Sequence, residues 1–371
     1  IYKFNFNWTM IHFGAISEQE FLANYWQKKP LLIKQALPDF ISPIAPDELA
    51  GLSLEDEFES RLVRGSTSNN KWSLDNGPFT EDTFSKLPEQ DWTLLVQGAD
   101  RFIDEVHDLI KHFDFIPRWR FDDVMISYAA KGGSVGPHFD YYDVFLLQGS
   151  GRRRWHISSK HCELDNYLDD VPLRIMNTFE AEQVWDVEPG DVLYVPPKVA
   201  HHGVSLDDEC TTLSFGYRAY SAQELLESVN QQSEDKNQYY QDPIWHNQNT
   251  PALIPNSAII QAQKTLDIGA EDFACFVTQL DSLDVQLLQH FEPDVFDKKA
   301  HYQLHPSCKI AYLLINEMPK VFINGHYFDT QAFDTNLNLL INFCNQRSVD
   351  ATQHLELATR LFKENLVVII D

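Results

Sequence analysis

No stretch of this 371-residue chain approaches the roughly 18 consecutive apolar residues of a membrane-crossing helix. The opening Ile1-Tyr2-Lys3-Phe4-Asn5-Phe6-Asn7 alternates apolar and polar residues as a strand does and lacks the continuous apolar region of a secretion signal. A cytoplasmic protein with no membrane partner is expected. Cysteine is scarce: Cys162, Cys210, Cys275, Cys308 and Cys344 are odd in number and scattered, with no Cys-x-x-Cys pair. That argues against a disulfide framework or a zinc ribbon and leaves buried thiols as the expectation. There is no His-Glu-x-x-His metalloprotease signature, no internal repeat and no low-complexity tract. Positive charge is in short supply, 29 Lys and Arg against 55 Asp and Glu, for a net −26 and a pI near 4.8. Such a field repels phosphates, so direct binding to nucleic acid is not expected, whereas a basic protein partner is attracted. An acidic surface also serves solubility by itself. From residue 221 onward 9 basic residues face 20 acidic ones, which disfavours a nucleic-acid role for that part.

What is present describes a globular chain. Apolar residues make up 43% and aromatics 13%, and the length suits two or three domains. Ser17-Glu18-Gln19-Glu20 reads as a capped helix start running into Phe21-Leu22-Ala23-Asn24-Tyr25-Trp26, with Lys29-Pro30 expected to stop it. Leu31-Leu32-Ile33 is a short strand, and Ala45-Pro46-Asp47-Glu48-Leu49-Ala50 opens a helix with proline in its first turn. From about residue 118 to 220 strands dominate: Val124–Tyr128, Val144–Gln148, Arg153–Ser158, Val192–Val195 and Thr211–Tyr217, separated by Gly and Pro turns. Many short strands around a metal triad point to a small β-barrel or double-sheet jelly roll of cupin architecture. Beyond Ser221 a helix is expected over Ala222–Asn230, then a polar junction to about Asn256, then amphipathic helices with a hairpin turning at Asn324-Gly325. A last helix, Asp350–Lys363, leads into Leu366–Ile370, and helices closing on a small terminal strand pair fit a winged-helix module.

That triad is His138, Asp140 and a later histidine. Residues i and i+2 of a strand share a face, so His138 and Asp140 reach one ion while Phe139 packs away. The third donor follows the turn Pro189-Gly190-Asp191, the apolar run Val192-Leu193-Tyr194-Val195 and Pro196-Pro197, an order that suits a partner strand crossing back. Adjacent strand residues face opposite ways, so only one of His201 and His202 reaches the metal. Two imidazoles and one carboxylate on one face leave three positions of Fe(II) open, room for a bidentate cosubstrate and dioxygen. Zinc more often takes a closed tetrahedron. His-x-Asp also arises by chance on surface strands. Here it is approached by Lys131-Gly132-Gly133-Ser134-Val135-Gly136-Pro137, a glycine-rich path that lets backbone pass close to a ligand.

The run Gly136-Pro137-His138-Phe139-Asp140-Tyr141-Tyr142-Asp143-Val144-Phe145-Leu146-Leu147-Gln148-Gly149-Ser150-Gly151-Arg152-Arg153-Arg154-Trp155, with Glu188-Pro189-Gly190-Asp191-Val192-Leu193-Tyr194-Val195-Pro196-Pro197, resembles the JmjC-type ribosomal oxygenases of bacteria. Within them it is most similar to the enzymes that hydroxylate an arginine of large-subunit ribosomal protein sixteen. The likeness extends to Asn7-Trp8, Tyr25-Trp26-Gln27-Lys28-Lys29-Pro30, the segment from Ser42 to Leu52, and Arg61-Leu62-Val63. It covers the first 220 residues well and the rest weakly. The resemblance implies Fe(II) held by His138, Asp140 and His201, with His202 standing where the family more usually has an acidic residue. It implies 2-oxoglutarate as cosubstrate, a basic ribosomal protein as substrate, and a homodimer. The implied fold is mainly β with α: a double-stranded β-helix (cupin/JmjC jelly roll) over residues 1–220, a helical dimerisation segment over 221–282, and a winged-helix-like C-terminal domain over 283–371.

The family's basic anchor for the far carboxylate of 2-oxoglutarate falls on Arg153. Strand parity agrees, because Arg153, Trp155 and Ile157 share a face that Trp and Ile mark as the inner one. An arginine there grips a carboxylate through two parallel hydrogen bonds. Outside this context three successive arginines read as a solvated basic run. Ser127, Thr212 and Ser214 are further candidates for cosubstrate contacts, each equally a satisfied barrel hydroxyl. Tyr141, Tyr142 and Asp143 are candidate walls for a cationic arginine substrate, although tyrosines at such spacing also serve as core or rim. The implied reaction hydroxylates a substrate C–H while 2-oxoglutarate becomes succinate and carbon dioxide, the protein supplying geometry, charge placement and exclusion of water. Histidine hydroxylation or lysine demethylation differs only in which C–H is presented, since a hydroxylated N-methyl group is an unstable hemiaminal. A catalytically silent cupin used as a binding module is the alternative from another class, disfavoured by an intact triad with an inward arginine.

Overall fold

Alternation of apolar and polar residues along the middle of the chain builds two antiparallel sheets that face one another. The computed structural model describes residues 10–67, 71–228, 238–246, 249–265, 267–292, 295–330 and 337–370, so the alternating opening from Ile1 to Asn7, expected as a strand, lies outside the described residues. Two compact units result, residues 1–113 with 121–218, and residues 114–120 with 219–371.

In the first unit the order is α1 (Glu18–Asn24), β1 (Leu31–Ile33), α2 (Pro46–Leu52), β2 (Ser60–Ser66), β3 (Lys71–Asn76), α3 (Glu81–Ser85), β4 (Trp92–Val96), α4 (Asp104–Leu109), β5 (Phe121–Ala129), β6 (Asp143–Ser150), β7 (Arg153–Ser158), β8 (Gln183–Val187), β9 (Val192–Val195), β10 (Ala200–Ser205) and β11 (Cys210–Tyr217). The large sheet runs β1-β9-β6-β11-β5-β4-β2-β3 and the small one β10-β7-β8. Directly opposed residues share a face, so register decides what points inward. Val144 opposes Val195 and Leu146 opposes Leu193. These four pack with Trp155 and Ile157 of β7 and Val187 of β8 into one buried cluster between the sheets. The result is a double-stranded β-helix of the cupin type, mainly β with helices, as the strand pattern and the resemblance imply.

The outer face of β6 is apolar too. Phe145 lies 5.8 Å from the Phe21 ring and 5.9 Å from that of Trp26, so α1 and the turn after it cover the large sheet. Ser17 caps α1 by accepting from the Glu20 N–H at 3.1 Å. The helix stops at Asn24 rather than running to Pro30. Trp26 is buried, Gln27 takes a left-handed backbone (φ 56°), and the Gln27 N–H donates to Tyr194 Oη at 2.7 Å. Anchoring to the sheet, not the proline, ends it.

The second unit contains α5 (Ala222–Ser228), α6 (Asn256–Thr265), α7 (Ala270–Val277), α8 (Ser282–His290), β12 (His301–Leu304), β13 (Ile310–Ile315), β14 (Met318–Ile323), β15 (His326–Phe328), α9 (Leu337–Gln346), β16 (Ser348–Asp350), α10 (Leu355–Lys363) and β17 (Val367–Ile370). Its sheets are ordered β16-β12-β17 and β13-β14-β15. Tyr302, Leu304, Tyr312, Val321, Phe343 and Leu361 belong to its core. Asn324 and Gly325 both take positive φ, 52° and 83°, the conformation of the tight turn expected there, and they join β14 to β15. The last helix starts later than its pattern suggests, because Ser348–Asp350 pairs with β12 and α10 begins only at Leu355. The helix expected over Ala222–Asn230 is seen to Ser228, the last two residues lying outside the described ones. Among the described residues no helix is long and apolar enough to cross a membrane.

Candidate metal centre

His138 and Asp140 occupy the segment between Gly136 and β6, which is not the regular strand expected for them. Proline 137 has no N–H for a ladder. Gly136 sits at φ 82°, outside the extended region, and an added Cβ there would meet Ile175 at 2.9 Å, so the approach to His138 is a turn that glycine suits. One bridge remains: the His138 N–H donates to His201 O at 3.1 Å and the His201 N–H to His138 O at 2.8 Å. The Lys198 N–H donates to Asp140 O at 2.7 Å, tying the carboxylate residue to the loop before β10. Phe139 packs away from the pair as parity requires, buried and stacked on Tyr167.

The side chains converge. His138 Nδ1 lies 2.9 Å from Gly136 O and His201 Nδ1 3.2 Å from Val199 O. With Nδ1–H given to a carbonyl, each Nε2 keeps its lone pair for a metal. Both face one oxygen, Asp140 Oδ2, at 3.8 Å from His138 and 3.6 Å from His201, and the three ligand atoms lie within 4.8 Å of one another. Burial first, and then the neighbouring His138, push the His201 imidazole down to about 4, against the pull of Asp140. It is therefore neutral at ordinary pH. His202 opposes His156 in register and turns to the other face, its ring 5.6 Å from that of His156 and 6.1 Å from that of Phe179. It is His201, not His202, that register brings to the other two donors.

β7 delivers Arg153, Trp155 and Ile157 to the inner face, all buried. Arg154 turns outward to Asp186 at 2.7 Å and Arg152 lies 3.7 Å from Asp207. The Arg153 Nε–H donates to Cys210 Sγ at 3.3 Å. Its Nη2 and the Trp155 indole N–H have no hydrogen-bond partner among the described residues. The Trp155 ring is 5.8 Å from that of His201 and 5.6 Å from the Arg153 guanidinium carbon. Unmatched buried donors cost about 1–3 kcal/mol each, and a small molecule carrying carboxylates would satisfy them. Thr212 opposes both Ser127 and Gln148 on the same inner face, and its hydroxyl donates to Gln148 Oε1 at 3.2 Å.

Ser214, two residues on, faces a pocket of about 170 Å3 that is also lined by Arg61, Gln97, Asp122, Asp123, Met125, Tyr142 and Val144. Burial, followed by the charges of Asp100 and Asp122, raises the Asp123 carboxyl to about 7, while Arg101 and Gln97 act to lower it. Of the three residues read as substrate walls only Tyr142 lines this pocket. Tyr141 packs beside Phe139, with the Lys198 ammonium 5.6 Å from its ring. Asp143 is turned away: fully buried, it accepts from Tyr194 Oη at 2.5 Å and from Gln27 Nε2 at 3.0 Å, so it anchors the turn after α1. The sequence reading missed Asp123, Met125 and Cys210. Parity held the signal, since Asp123 and Met125 precede inward-facing Ser127 at intervals of two, and Cys210 precedes Thr212 likewise. The expected burial of the thiols holds for Cys210, Cys308 and Cys344, whereas Cys162 and Cys275 are only partly buried.

A family model described as JmjC domain matches residues 108–225. Over 245 residues the chain is 39% identical to the ribosomal protein uL16 3-hydroxylase of Escherichia coli (strain K12), covering 65% of this chain and 61% of that protein. Over 231 residues it is 40% identical to a probable ribosomal oxygenase of Haemophilus influenzae, covering 62% and 55%. The chain thus spans less than two thirds of the length of either curated relative. Among solved structures, that of E. coli ycfD matches with a TM-score of 0.71 at 28% identity, over 98% of this chain and 100% of that one. The structure of the E. coli ribosomal oxygenase YcfD in complex with cobalt and 2-oxoglutarate matches with a TM-score of 0.69 at 27% identity, over 98% and 99%.

Proposed function

We propose, on the premise that residues 108–225 are a JmjC domain, that this chain is an Fe(II)- and 2-oxoglutarate-dependent protein hydroxylase acting on an arginine of a large-subunit ribosomal protein. The observation that carries this reading is the set of three donors aimed at one point, His138 Nε2, His201 Nε2 and Asp140 Oδ2. Support for the substrate class comes from the identity to a uL16 3-hydroxylase.

In this reading His138, Asp140 and His201 hold the ion, and Arg153 takes the far carboxylate of 2-oxoglutarate through its unmatched N–H groups, with Ser127 and Thr212 beside it. When bound, iron and 2-oxoglutarate supply the redox chemistry, in which dioxygen is consumed, a substrate C–H becomes C–OH, and succinate and carbon dioxide leave. The protein's own part is placement. Val144, Leu146, Trp155 and Ile157 pack the barrel interior and keep water from it. Asp123 offers charge and hydrogen bonds to a guanidinium, and the Tyr142 ring offers a face. A cationic guest favours the ionised form of Asp123, so binding and ionisation reinforce each other.

The partner proposed with this reading is a basic ribosomal protein met in the cytoplasm, drawn by a net charge of −26. Neither nucleic acid nor membrane is proposed as a partner. Residues 1–220 are proposed as the catalytic domain, 221–282 as the segment through which two copies associate, and 283–371 as a winged-helix-like domain, with α8 crossing the last boundary. Incubating the 371-residue chain with purified large-subunit ribosomal proteins, Fe(II) and 2-oxoglutarate should add one oxygen atom to a single arginine, read by tandem mass spectrometry, and His138→Ala should abolish the change. Succinate without ribosomal modification would keep the oxygenase and reject the target. No succinate at all would favour a silent binding module.

A further inference from the structure

Arg153 is held in the barrel by a sulfur. Its Nε–H is donated to Cys210 Sγ at 3.3 Å, and the same sulfur accepts from Gln148 Nε2 at 3.4 Å. Gln148 is itself fixed, because Nε2 also donates to Ser150 O at 2.8 Å and Oε1 accepts from the Thr212 hydroxyl at 3.2 Å. Cys210 and Gln148 are 0% exposed and Arg153 is 4% exposed. Register accounts for the arrangement. Cys210 opposes Ala129 and Thr212 opposes Ser127 on β5, so Cys210 heads the inner row of β11. On the other side Thr211 opposes Ser150 while Thr212 opposes Gln148, a bulge that sets Gln148 beside the Cys210 sulfur.

A thiol is a weak, uncharged acceptor. The contrast within this chain is Arg120, equally buried, whose Nε lies 2.8 Å from the Asp242 carboxylate. A carboxylate seat cancels a guanidinium's charge, whereas a sulfur seat orients the guanidinium and leaves its charge in place. We propose that Cys210 is a positioning residue of the cosubstrate site, aiming Arg153 without neutralising it so that the full charge serves the far carboxylate of a dicarboxylate. This rests on the reading of Arg153 as the carboxylate anchor. The preference for a second carboxylate then depends on residue 210 being an uncharged acceptor.

The test is calorimetry on the 371-residue chain with Mn(II) in place of iron, titrated with 2-oxoglutarate and separately with oxalate, which chelates a metal but has no far carboxylate. Cys210→Ala should weaken 2-oxoglutarate roughly tenfold, the scale of one hydrogen bond to a charged group. Cys210→Ser should restore the binding and Cys210→Asp should weaken it further than alanine does. Oxalate should bind all of these proteins alike, and in turnover the KM for 2-oxoglutarate should rise with kcat unchanged. Arg153→Ala separates the two ideas. If it weakens 2-oxoglutarate while the Cys210 variants do not, the sulfur seat is overturned and the anchor stands. If Arg153→Ala leaves 2-oxoglutarate binding unchanged, the anchor reading fails and the seat with it. Equal weakening of oxalate and 2-oxoglutarate by Cys210→Ala would mark a general structural loss and also overturn the proposal. Should Cys210→Asp fail to fold, the alanine and serine pair decides.

Discussion

Asp123 lies in the pocket that Tyr142 and Ser214 share, with its carboxyl raised from the ordinary 3.8 to about 7, chiefly by burial. Below that value it is neutral and above it negative, so a cationic side chain finds its counter-charge only as pH rises through about 7. The KM for the protein substrate is expected to fall across that interval. Asp123→Asn should flatten the dependence and raise KM roughly tenfold, measured by initial rates on both sides of neutrality. The sign for stability is opposite. A carboxyl raised on folding binds its proton more tightly in the folded state, so its contribution is full below 3.8 and is lost as pH climbs towards 7. The two adjacent histidines offer a second comparison. His201→Ala should abolish retention of metal through dialysis, read by elemental analysis, whereas His202→Ala should leave the metal content unchanged, because the His202 ring stacks on His156 at the opposite face.

Among the elements, β6 bears apolar side chains on both faces. Its outer Phe145, fully buried, is surrounded by Phe21, Phe113, Tyr194 and Tyr217 with ring centroids 5.0 to 5.8 Å away. Phe145→Ala leaves a cavity there and should cost about 3–5 kcal/mol, visible as a lowered midpoint in denaturant. The strands of the first unit legible in the sequence, β1, β5, β6, β7, β9 and β11, are those whose apolar residues fill the space between the sheets or the outer face of the large one. β2, β3, β4 and β8 were not resolved as strands. β3 and β8 lie at sheet edges, and β2 places Arg61 rather than an apolar residue toward the Asp123 pocket. At the candidate site the i, i+2 spacing of His138 and Asp140 and the parity of Arg153 were readable, because both are local, whereas His201 was singled out from His202 only by the resemblance. Asp143 was misjudged because its role is set by Gln27 and Tyr194, far away in sequence. Cys210 could be placed beside Arg153 only once the pairing of β11 with β6 was known.

Taken as a whole, the molecule carries 26 more acidic than basic residues. Its field should speed the approach of the basic protein substrate proposed above, and salt should screen it over a Debye length of about 10 Å at 0.1 M. The kcat/KM for the proposed protein substrate is expected to fall with added salt while kcat holds, whereas the affinity for 2-oxoglutarate, which the proposal assigns to buried Arg153, should change little. The bridge between His138 and His201 consists of two backbone hydrogen bonds that close a long loop of chain. An ion on the two Nε2 atoms would fasten the same two residues a second time, acting as a removable crosslink. At a hundredfold excess over its dissociation constant such an ion adds about 2.7 kcal/mol to stability. Chelation should therefore accelerate hydrogen exchange at the His138 and His201 amides ahead of those pairing β11 with β5, so that loss of metal loosens this seam before it loosens the barrel.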